Sequence, residues 1–170
     1  DKNNDHKCDT CGKVLTECVD ENKDYKCDIC GAELEKPNEV IRLAGGNRWE
    51  TALKVADEMK ANLDIEKFDA IIIASGNDFA DALAGSYLAY RKEAPILLTK
   101  AGNSNIGLSM DYIRENVAVG GTVYALGGPT IVSDKIFELE AEGYNVVRLA
   151  GATRYETNLL ILKEAGVKKG

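Results

Sequence analysis

The sequence predicts a three-layer α/β domain with a parallel sheet, preceded by a small cysteine-rich module. From residue 39 onward, short aliphatic runs alternate with amphipathic stretches across glycine-rich turns, which is the pattern of βαβ units. The run at residues 70–74, Ala-Ile-Ile-Ile-Ala, is continuously apolar, as expected for a strand covered on both faces. All five cysteines of the 170 residues fall within the first 30 positions. We therefore predict a flavodoxin/Rossmann-like sheet and a separate module at residues 1–37.

The elements of the α/β part follow from this alternation. Strands are predicted at residues 40–43, 70–74, 96–98, 122–126 and 145–149, and helices at residues 49–62, 79–92, 106–116, 133–142 and 155–164. Asn47, Asp78 and Ser133 each precede a helix and can cap its exposed backbone N–H groups. Glycines occupy the turns from strand to helix, and the carboxyl ends of parallel strands at such turns are the expected place for a ligand.

Residues 1–37 are too polar to fold around an apolar core. They contain 10 acidic residues, 6 lysines and few large apolar side chains. So small a core cannot offset an ordering cost of about 1–2 kcal/mol per residue. The segment is also an internal repeat, since the pattern Asp-x-Asn-x-Asp-x-x-Cys-Asp-x-Cys-Gly starts at Asp1 and returns 19 positions later at Asp20. We expect it to be held by a metal ion or by cross-links.

Zinc is the first interpretation of these cysteines. Two Cys-x-x-Cys pairs separated by 15 residues have zinc-ribbon spacing, which predicts one tetrahedral ion held by Cys8, Cys11, Cys27 and Cys30. His6 and Cys18 are reserve ligands. Disulfides are a second interpretation, suited to an extracellular compartment. Calcium is a third, because the acidic run resembles the start of a calcium loop, although His6 stands where such a loop has glycine.

Charge and motifs argue against several functions. A net charge of −7 disfavours nucleic-acid binding and attachment to an anionic membrane, and no apolar run is long enough for membrane insertion. The only histidine is His6, and neither a Gly-x-Ser-x-Gly elbow nor a dinucleotide fingerprint occurs, so no enzyme is predicted. Asp78 and Asp81 have the spacing of a carboxylate pair, but a helix cap and an ion pair with an arginine are the simpler interpretation.

A second repeat lies in the α/β part. The ten residues Arg42-Leu-Ala-Gly-Gly-Asn-Arg-Trp-Glu-Thr51 recur 106 positions later as Arg148-Leu-Ala-Gly-Ala-Thr-Arg-Tyr-Glu-Thr157, with seven of ten positions identical. The chain thus holds one full α/β unit at residues 38–147 and the opening strand and helix of another at residues 148–170.

These motifs resemble the type 2 cell wall binding repeat of clostridial and related Gram-positive surface proteins. The resemblance covers about residues 39–158 and leaves out the cysteine-rich segment. Four motifs carry it: the Arg-Leu-Ala-Gly opening at residues 42–52, the Asp-Ala-Leu-Ala helix after a Ser-Gly turn at residues 75–84, the Pro-Ile-Leu-Leu strand at residues 94–99 and the Gly-Gly turn at residues 124–128.

The resemblance implies an extracellular module at the cell wall that anchors a secreted surface protein non-covalently to an anionic polymer. The matching binding segment is Pro95, Ile96, Leu97 and Leu98, whose residue types also suit a buried strand. Arg42, Arg48 and Lys100 are candidate polymer contacts, with ion pairing to nearby acids as the alternative for the two arginines. Because the family usually carries three repeats in a three-fold pseudo-trimer, we expect a homotrimer or further repeats as partners. The alternatives are a small-ligand or nucleotide-binding α/β domain and a structural trimerisation unit.

Overall fold

The computed structural model describes residues 7, 14, 19–28, 31, 33–34, 40–100 and 106–168. The chain forms two compact units, Asp1–Arg42 and Leu43–Gly170. In the first unit, two isolated antiparallel bridges join Lys7 to Val14 and Lys26 to Glu33. Each bridge residue of the first pair has its counterpart 19 positions later in the second pair, so the sequence repeat is also a repeat of backbone pairing.

The second unit alternates strands and helices from one end to the other. In chain order the elements are α1 (Arg48–Asn62), β1 (Phe68–Ser75), α2 (Ala80–Lys92), β2 (Ile96–Thr99), α3 (Ile106–Asn116), β3 (Val117–Leu126), a 3₁₀ helix (Asp134–Glu142), β4 (Asn145–Leu149) and α4 (Arg154–Glu164). No helix in the described ranges is both long enough and apolar enough to span a bilayer.

The four strands form one parallel sheet in the order β2-β1-β3-β4. This order confirms the predicted parallel α/β class and is that of the flavodoxin-type sheets, in which the chain changes direction between β1 and β3. The central strand β1 is buried at seven of its eight positions. Its apolar run is therefore explained by helices on both faces of the sheet.

Two helical layers cover the sheet. One face packs side chains of α1, α3 and the 3₁₀ helix, including Ala56, Ile113 and Ile136, against alternate residues of the strands. The other face packs α2 and α4, including Leu88 and Ile161. These contacts form the three layers expected from the alternating sequence.

The repeated ten-residue motif builds the same helix start twice. Asn47 Oδ1 accepts a hydrogen bond from the Glu50 backbone N–H (3.0 Å), and Glu50 Oε2 accepts one from the Gly46 N–H (2.8 Å). At the second copy, Thr153 Oγ1 accepts from the Glu156 N–H (3.2 Å), and Glu156 Oε2 accepts from the N–H four positions earlier (2.7 Å). Both helix starts are variants of the capping box in which the glutamate bonds the N–H one residue before the N-cap, so the spacing shared by the two copies of the motif has a structural cause.

Two predicted elements differ in the structure. Residues 40–43 do not form the predicted strand, because no strand of the described chain lies beside them, and Val40 is 94% exposed. Residues 133–142 were predicted simply as a helix, and Asp134–Glu142 form a 3₁₀ helix. Its buried side chains Ile136 and Leu139 are three positions apart, which matches the three residues per turn of that helix type.

Candidate functional site

The predicted binding segment Pro95 to Leu98 lies at an edge of the sheet, in and just before β2. Leu97 is fully buried in the core, and Pro95 is buried as well. Ile96 and Leu98 are half-buried. The structure therefore divides the segment into two positions that serve packing and two that a ligand can reach.

A groove runs along the amino end of β2, and we call it the edge groove. It has a volume of about 770 Å³. Most of its lining is apolar and comes from α1, α2 and the start of β2, and includes Val55, Met59, Leu63, Tyr90, Pro95 and Ile96. Arg91 also lines it and lies 3.5 Å from the hydroxyl of Tyr87. Sequence reasoning missed this groove because its residues come from three separate elements.

The other end of β2 carries two cations, Arg48 and Lys100, beside Leu98. We call these three residues the cation cluster. Arg48 Nη1 donates a hydrogen bond to the Gly76 carbonyl (2.6 Å), which fixes the guanidinium beyond the end of β1. A Cβ added at Gly76 would lie 3.4 Å from both Arg48 Cδ and Leu98 Cβ, so these two side chains flank the same glycine. Lys100 follows β2 directly and is exposed. Three sequence-predicted site residues thus share the carboxyl end of the edge strand.

Trp49 lies beside this cluster and was not predicted as a site residue. The Arg48 guanidinium carbon is 5.8 Å from the centroid of the Trp49 ring. The indole Nε1 is buried against Gly76 and has no hydrogen-bond partner in the described part of the chain. The contact depends on how α1 packs on the sheet beside β2, which no local sequence pattern reveals.

Lys92 precedes the Pro95 to Leu98 segment, but its side chain contacts the helical layer formed by α2 and α4. Its Nζ lies 3.4 Å from Glu164 Oε1 and 5.5 Å from the centroid of the Tyr124 ring. The hydrogen bond with Tyr124, followed by that with Glu164, raises the pKa of Lys92. Lys92 therefore stabilises the packing of α4 on α2 and does not extend the cation cluster.

The two copies of the motif's first arginine have different surroundings. Arg148 Nη1 donates to the Gly127 carbonyl (2.7 Å), and Nη2 lies 2.9 Å from Asp134 Oδ1. Arg42 is exposed and makes no hydrogen bond or ion pair with any described residue. The expected pairing with the motif glutamate does not occur among the described residues, because Glu50 and Glu156 serve as helix caps.

A crevice of about 240 Å³ opens at the carboxyl ends of β1, β3 and β4, where the chain direction reverses. It is lined by Asp78, Asp81, Gly127, Thr153 and Arg154 among others. Burial, followed by the charge of Asp78, raises the pKa of Asp81, and Arg154 opposes that shift. Two carboxylates make this crevice a poor site for phosphate, which weighs against the nucleotide alternative.

The Gly-Gly turn beside the crevice has a structural role. Gly127 has a φ of +97°, and a Cβ there would lie 2.7 Å from Asp81 Oδ2. The Gly128 carbonyl accepts backbone hydrogen bonds from Ile131 and Val132 at 2.9 Å each. These bonds close a strand-to-helix turn and agree with the structural interpretation of the sequence.

The described part of the cysteine-rich unit uses its acidic side chains for local turns. Asp20 carboxylate oxygens accept from the N–H groups of Asp24 (3.1 Å) and Tyr25 (2.9 Å), and Asp24 Oδ1 accepts from Lys26 (2.9 Å). Within the described residues, no three His, Cys, Asp or Glu side chains are grouped to hold a metal ion.

Most of the predicted ligands of this unit lie outside the described residues. These are Cys8, Cys11 and Cys30, together with the reserve ligands His6 and Cys18. Cys27 is described and is buried, with 2% of its surface exposed. Gly31, with φ +71°, donates its N–H to the Cys27 carbonyl (2.8 Å), which forms the tight turn that a Cys-x-x-Cys-Gly sequence predicts.

The fold and these surfaces define a parallel α/β repeat domain with an accessible edge strand and a cation cluster at its carboxyl end. The chain belongs to the cell wall binding domain 2 (CWB2) family, whose model matches residues 42–137. The α/β unit is therefore a cell wall binding domain, and its place is the cell wall or cell surface.

Two proteins of Bacillus subtilis are similar to this chain over part of their length. N-acetylmuramoyl-L-alanine amidase LytC of Bacillus subtilis (strain 168) is 29% identical over 133 residues, 76% of this chain and 25% of that protein. The amidase enhancer of the same strain is 28% identical over 137 residues, 80% of this chain and 17% of that protein. The chain thus spans a quarter or less of these relatives.

Two solved structures share the fold. Cwp6 from Clostridium difficile has a TM-score of 0.59 and 29% identity, over 76% of this chain and 21% of that chain. Cwp8 from the same organism has a TM-score of 0.57 and 27% identity, over 72% and 19%. They support both the α/β fold and the family assignment.

Proposed function

We propose that the α/β unit anchors a larger surface protein non-covalently to an anionic polymer of the Gram-positive cell wall, through β2 and the cation cluster at its carboxyl end. The observation that carries this proposal is the position of Arg48, Leu98 and Lys100 at one end of an edge strand. A polyanion can lie along such an edge without displacing any other strand. Ile96 and Leu98 supply apolar contacts, and Arg48 and Lys100 supply the charge.

Local charge matters here because the whole chain repels a polyanion. With a net charge of −7, the chain cannot attract the polymer by its overall field, so specific arginines and lysines must do so. Arg48 is positioned for this role because its guanidinium is already oriented by the Gly76 carbonyl. A preoriented guanidinium loses less side-chain entropy when it binds phosphate or carboxylate.

A matched pair of charge reversals tests the proposal. Lys100→Glu places an acid at the carboxyl end of β2, whereas Lys67→Glu makes the same change of net charge just before β1, at the opposite end of the sheet. Both lysines are exposed. In sedimentation with purified walls, we expect Lys100→Glu to lose most of its retention and Lys67→Glu to keep it. Equal losses would show that only overall charge matters.

Polymer recognition is tested by the wall preparation itself. Walls from which the anionic polymer has been chemically stripped should no longer retain the chain, while walls treated in parallel without stripping should retain it. Full retention on stripped walls would place the binding on peptidoglycan and contradict the proposal.

We also propose that the module acts without catalysis. The only histidine of the chain lies at position 6, outside the α/β unit. Asp78 precedes Phe79, the N-cap of α2, and its Oδ1 accepts a hydrogen bond from the Ala80 N–H (3.1 Å) in the turn before the helix, so the predicted cap by Asp78 is replaced by a local turn. Incubation with purified walls should release neither reducing sugars nor free amino groups. Release of either product would contradict this part of the proposal.

For the cysteine-rich unit, we propose one zinc ion held by Cys8, Cys11, Cys27 and Cys30. The burial of Cys27 and the turn closed by Gly31 suit a knuckle that presents two thiolates to one ion. Elemental analysis should find about one zinc per chain, lost in Cys27→Ala and retained in Cys18→Ala. Absence of zinc together with one free thiol per chain, in place of five, would favour two disulfides, and calcium in place of zinc would favour the acidic run.

A homotrimer, or further repeats of the same chain, is the proposed assembly for binding. Sedimentation equilibrium of the full chain gives its mass directly. A trimer that does not bind walls would support the structural trimerisation alternative.

A further inference from the structure

The two copies of the opening motif pack their helices with different faces. Ile161 of α4 is fully buried and Ala165, its C-cap, is 3% exposed, both in the layer that α4 shares with α2. In α1, Ala56 is fully buried and Leu53 packs beside it, both in the opposite layer. Two helices that begin with nearly the same sequence therefore use different sides.

Each face that is buried in one copy is open in the other. The counterpart of Ile161, 106 positions earlier, is Val55, which is 49% exposed. The counterpart of Leu53 in α4 is Leu159, which is 63% exposed. An apolar residue is thus kept at each open position, as expected if every copy of the helix packs on both sides in its full setting.

The edge groove lies on this open face of α1. Val55 and Met59 line it, and their counterparts are Ile161 and the C-cap Ala165, which are both buried. The acidic residue of this face is also present in both copies. Glu164 pairs with Lys92 and accepts a hydrogen bond from the Tyr124 hydroxyl (3.0 Å), and its counterpart in α1 is Glu58. The groove therefore has the chemistry of a surface that packs on an α2-type helix.

The segment before α1 also lacks the neighbour that its counterpart before α4 has. Strand β4 pairs with β3 in register, for example Tyr124 with Val147. The counterpart of Val147 is Ile41, which is 53% exposed and belongs to no strand. Residues 40–43 have the sequence of a sheet strand and lack only the neighbouring β3.

We propose that consecutive units of this family share their opening segment. Residues 40–62 would complete the sheet and helical layer of a preceding unit, just as residues 145–165 complete this one, while α1 keeps its present contacts. The occupant of the edge groove is thus the α2 helix of another family unit that has no β4 and α4 of its own. A second copy of this chain does not fit this groove, because its α2 is already covered by its own α4, so a homotrimer would form through another surface.

The packing of α2 in this chain shows why such a helix fits. It contributes small side chains to the layer shared with α4, Ala82, Ala84 and Ala89. Small residues allow two helices to approach closely, and the larger Val55 and Met59 of α1 then fill the space between them. The same arrangement leaves Leu159 to pack on the core of a following unit.

A tandem chain tests the proposal independently of wall binding. In this engineered chain, residues 1–147 are followed directly by residues 42–170. The second copy of residues 42–62 is then the middle opening segment, which should serve the units on both sides of it. Single cysteines are placed in that middle segment at Val55 or at Leu53, with Ala61→Cys as the control because Ala61 and its counterpart Val167 are both exposed. Labelling by maleimide is followed by mass spectrometry of the peptides, which separates these sites from the native cysteines.

The expected result is protection of both faces in the middle segment. Val55→Cys in the middle segment should react at least about tenfold more slowly than Val55→Cys in the present chain, and Leu53→Cys should be similarly slow, while Ala61→Cys reacts at the same rate in both chains. If either Val55→Cys or Leu53→Cys reacts as fast as Ala61→Cys, one segment does not serve two units. A tandem chain without the helix and sheet content of two units would also overturn the proposal.

Discussion

Arg148 and Arg42 occupy the same position of the repeated motif, so replacing each by alanine separates the effect of sequence from that of surroundings. The Arg148 side chain is 16% exposed and donates to the Gly127 carbonyl and to Asp134. Its guanidinium carbon also lies 5.3 Å from the centroid of the Phe137 ring. Arg42 has no such contact with the described residues.

The cost of Arg148→Ala follows from these three contacts. A hydrogen bond from a charged donor contributes about 1.5–3 kcal/mol. The Asp134 side chain is 70% exposed, so its ion pair adds at most about 1 kcal/mol. Contact with the Phe137 ring adds about 0.5–1 kcal/mol. Since water replaces part of each interaction, we expect a loss of about 2–3 kcal/mol, or roughly 6–9 °C in Tm for a unit of this size.

Urea unfolding followed by circular dichroism measures both variants, and wall sedimentation is run on the same samples. Arg42→Ala should change the free energy of unfolding by less than about 0.5 kcal/mol, as is usual for an exposed side chain. If Arg42 contributes to polymer binding, that variant should lose wall retention while keeping its stability. Equal stability losses in the two variants, or no loss in Arg148→Ala, would refute the reasoning from contacts.

Three further predictions concern the helical layers and the crevice. Ile161→Ala should lower the free energy of unfolding by about 2–5 kcal/mol, because a fully buried side chain is removed, whereas its counterpart Val55→Ala should change it by less than about 0.5 kcal/mol in urea unfolding. The raised pKa of Asp81 means that the folded unit holds this proton at higher pH than the unfolded chain, so stability falls as pH rises through that range. Asp81→Asn should therefore raise the urea midpoint at pH 7 and flatten its acid dependence, and an unchanged profile would contradict the burial argument. Burial and the hydrogen bond to Asp57 raise the pKa of Tyr112, so its contribution is present below about pH 10, where the unfolded tyrosine ionises, and is lost above it. Tyr112→Phe should lose about 1 kcal/mol at pH 7 and decline less steeply than the parent chain above pH 10.

The fold was largely predictable because its signals are local. The predicted helix at residues 106–116 and the predicted strand at residues 145–149 coincide with α3 and β4. The failure at residues 40–43 has a different origin. The motif residues there are the same as those at the end of β4, but a strand exists only where another strand accepts its hydrogen bonds, and that neighbour is absent from the described chain.

The candidate site was only partly predictable because it is built from distant segments. Sequence named Arg48, Leu98 and Lys100, yet only the packing of α1 on the sheet brings Arg48 beside Leu98 at Gly76. Strand alternation accounts for the division between buried Leu97 and accessible Ile96. That β2 is an edge strand, and so open to a ligand at all, depends on the order of the whole sheet.

The two regions at the carboxyl end of the sheet carry side chains of opposite charge, and this restricts where a polyanion can bind. On the β3 side, Asp81 faces Asp78, and the nearby Arg154 only partly offsets them. On the β2 side, Arg48 and Lys100 flank Leu98, and no described acid forms an ion pair with either cation. The crevice, where α/β folds usually bind ligands, thus carries paired acids, and the end of the edge strand carries cations. The charges therefore favour the sheet edge over the crevice as the place for the proposed polymer site.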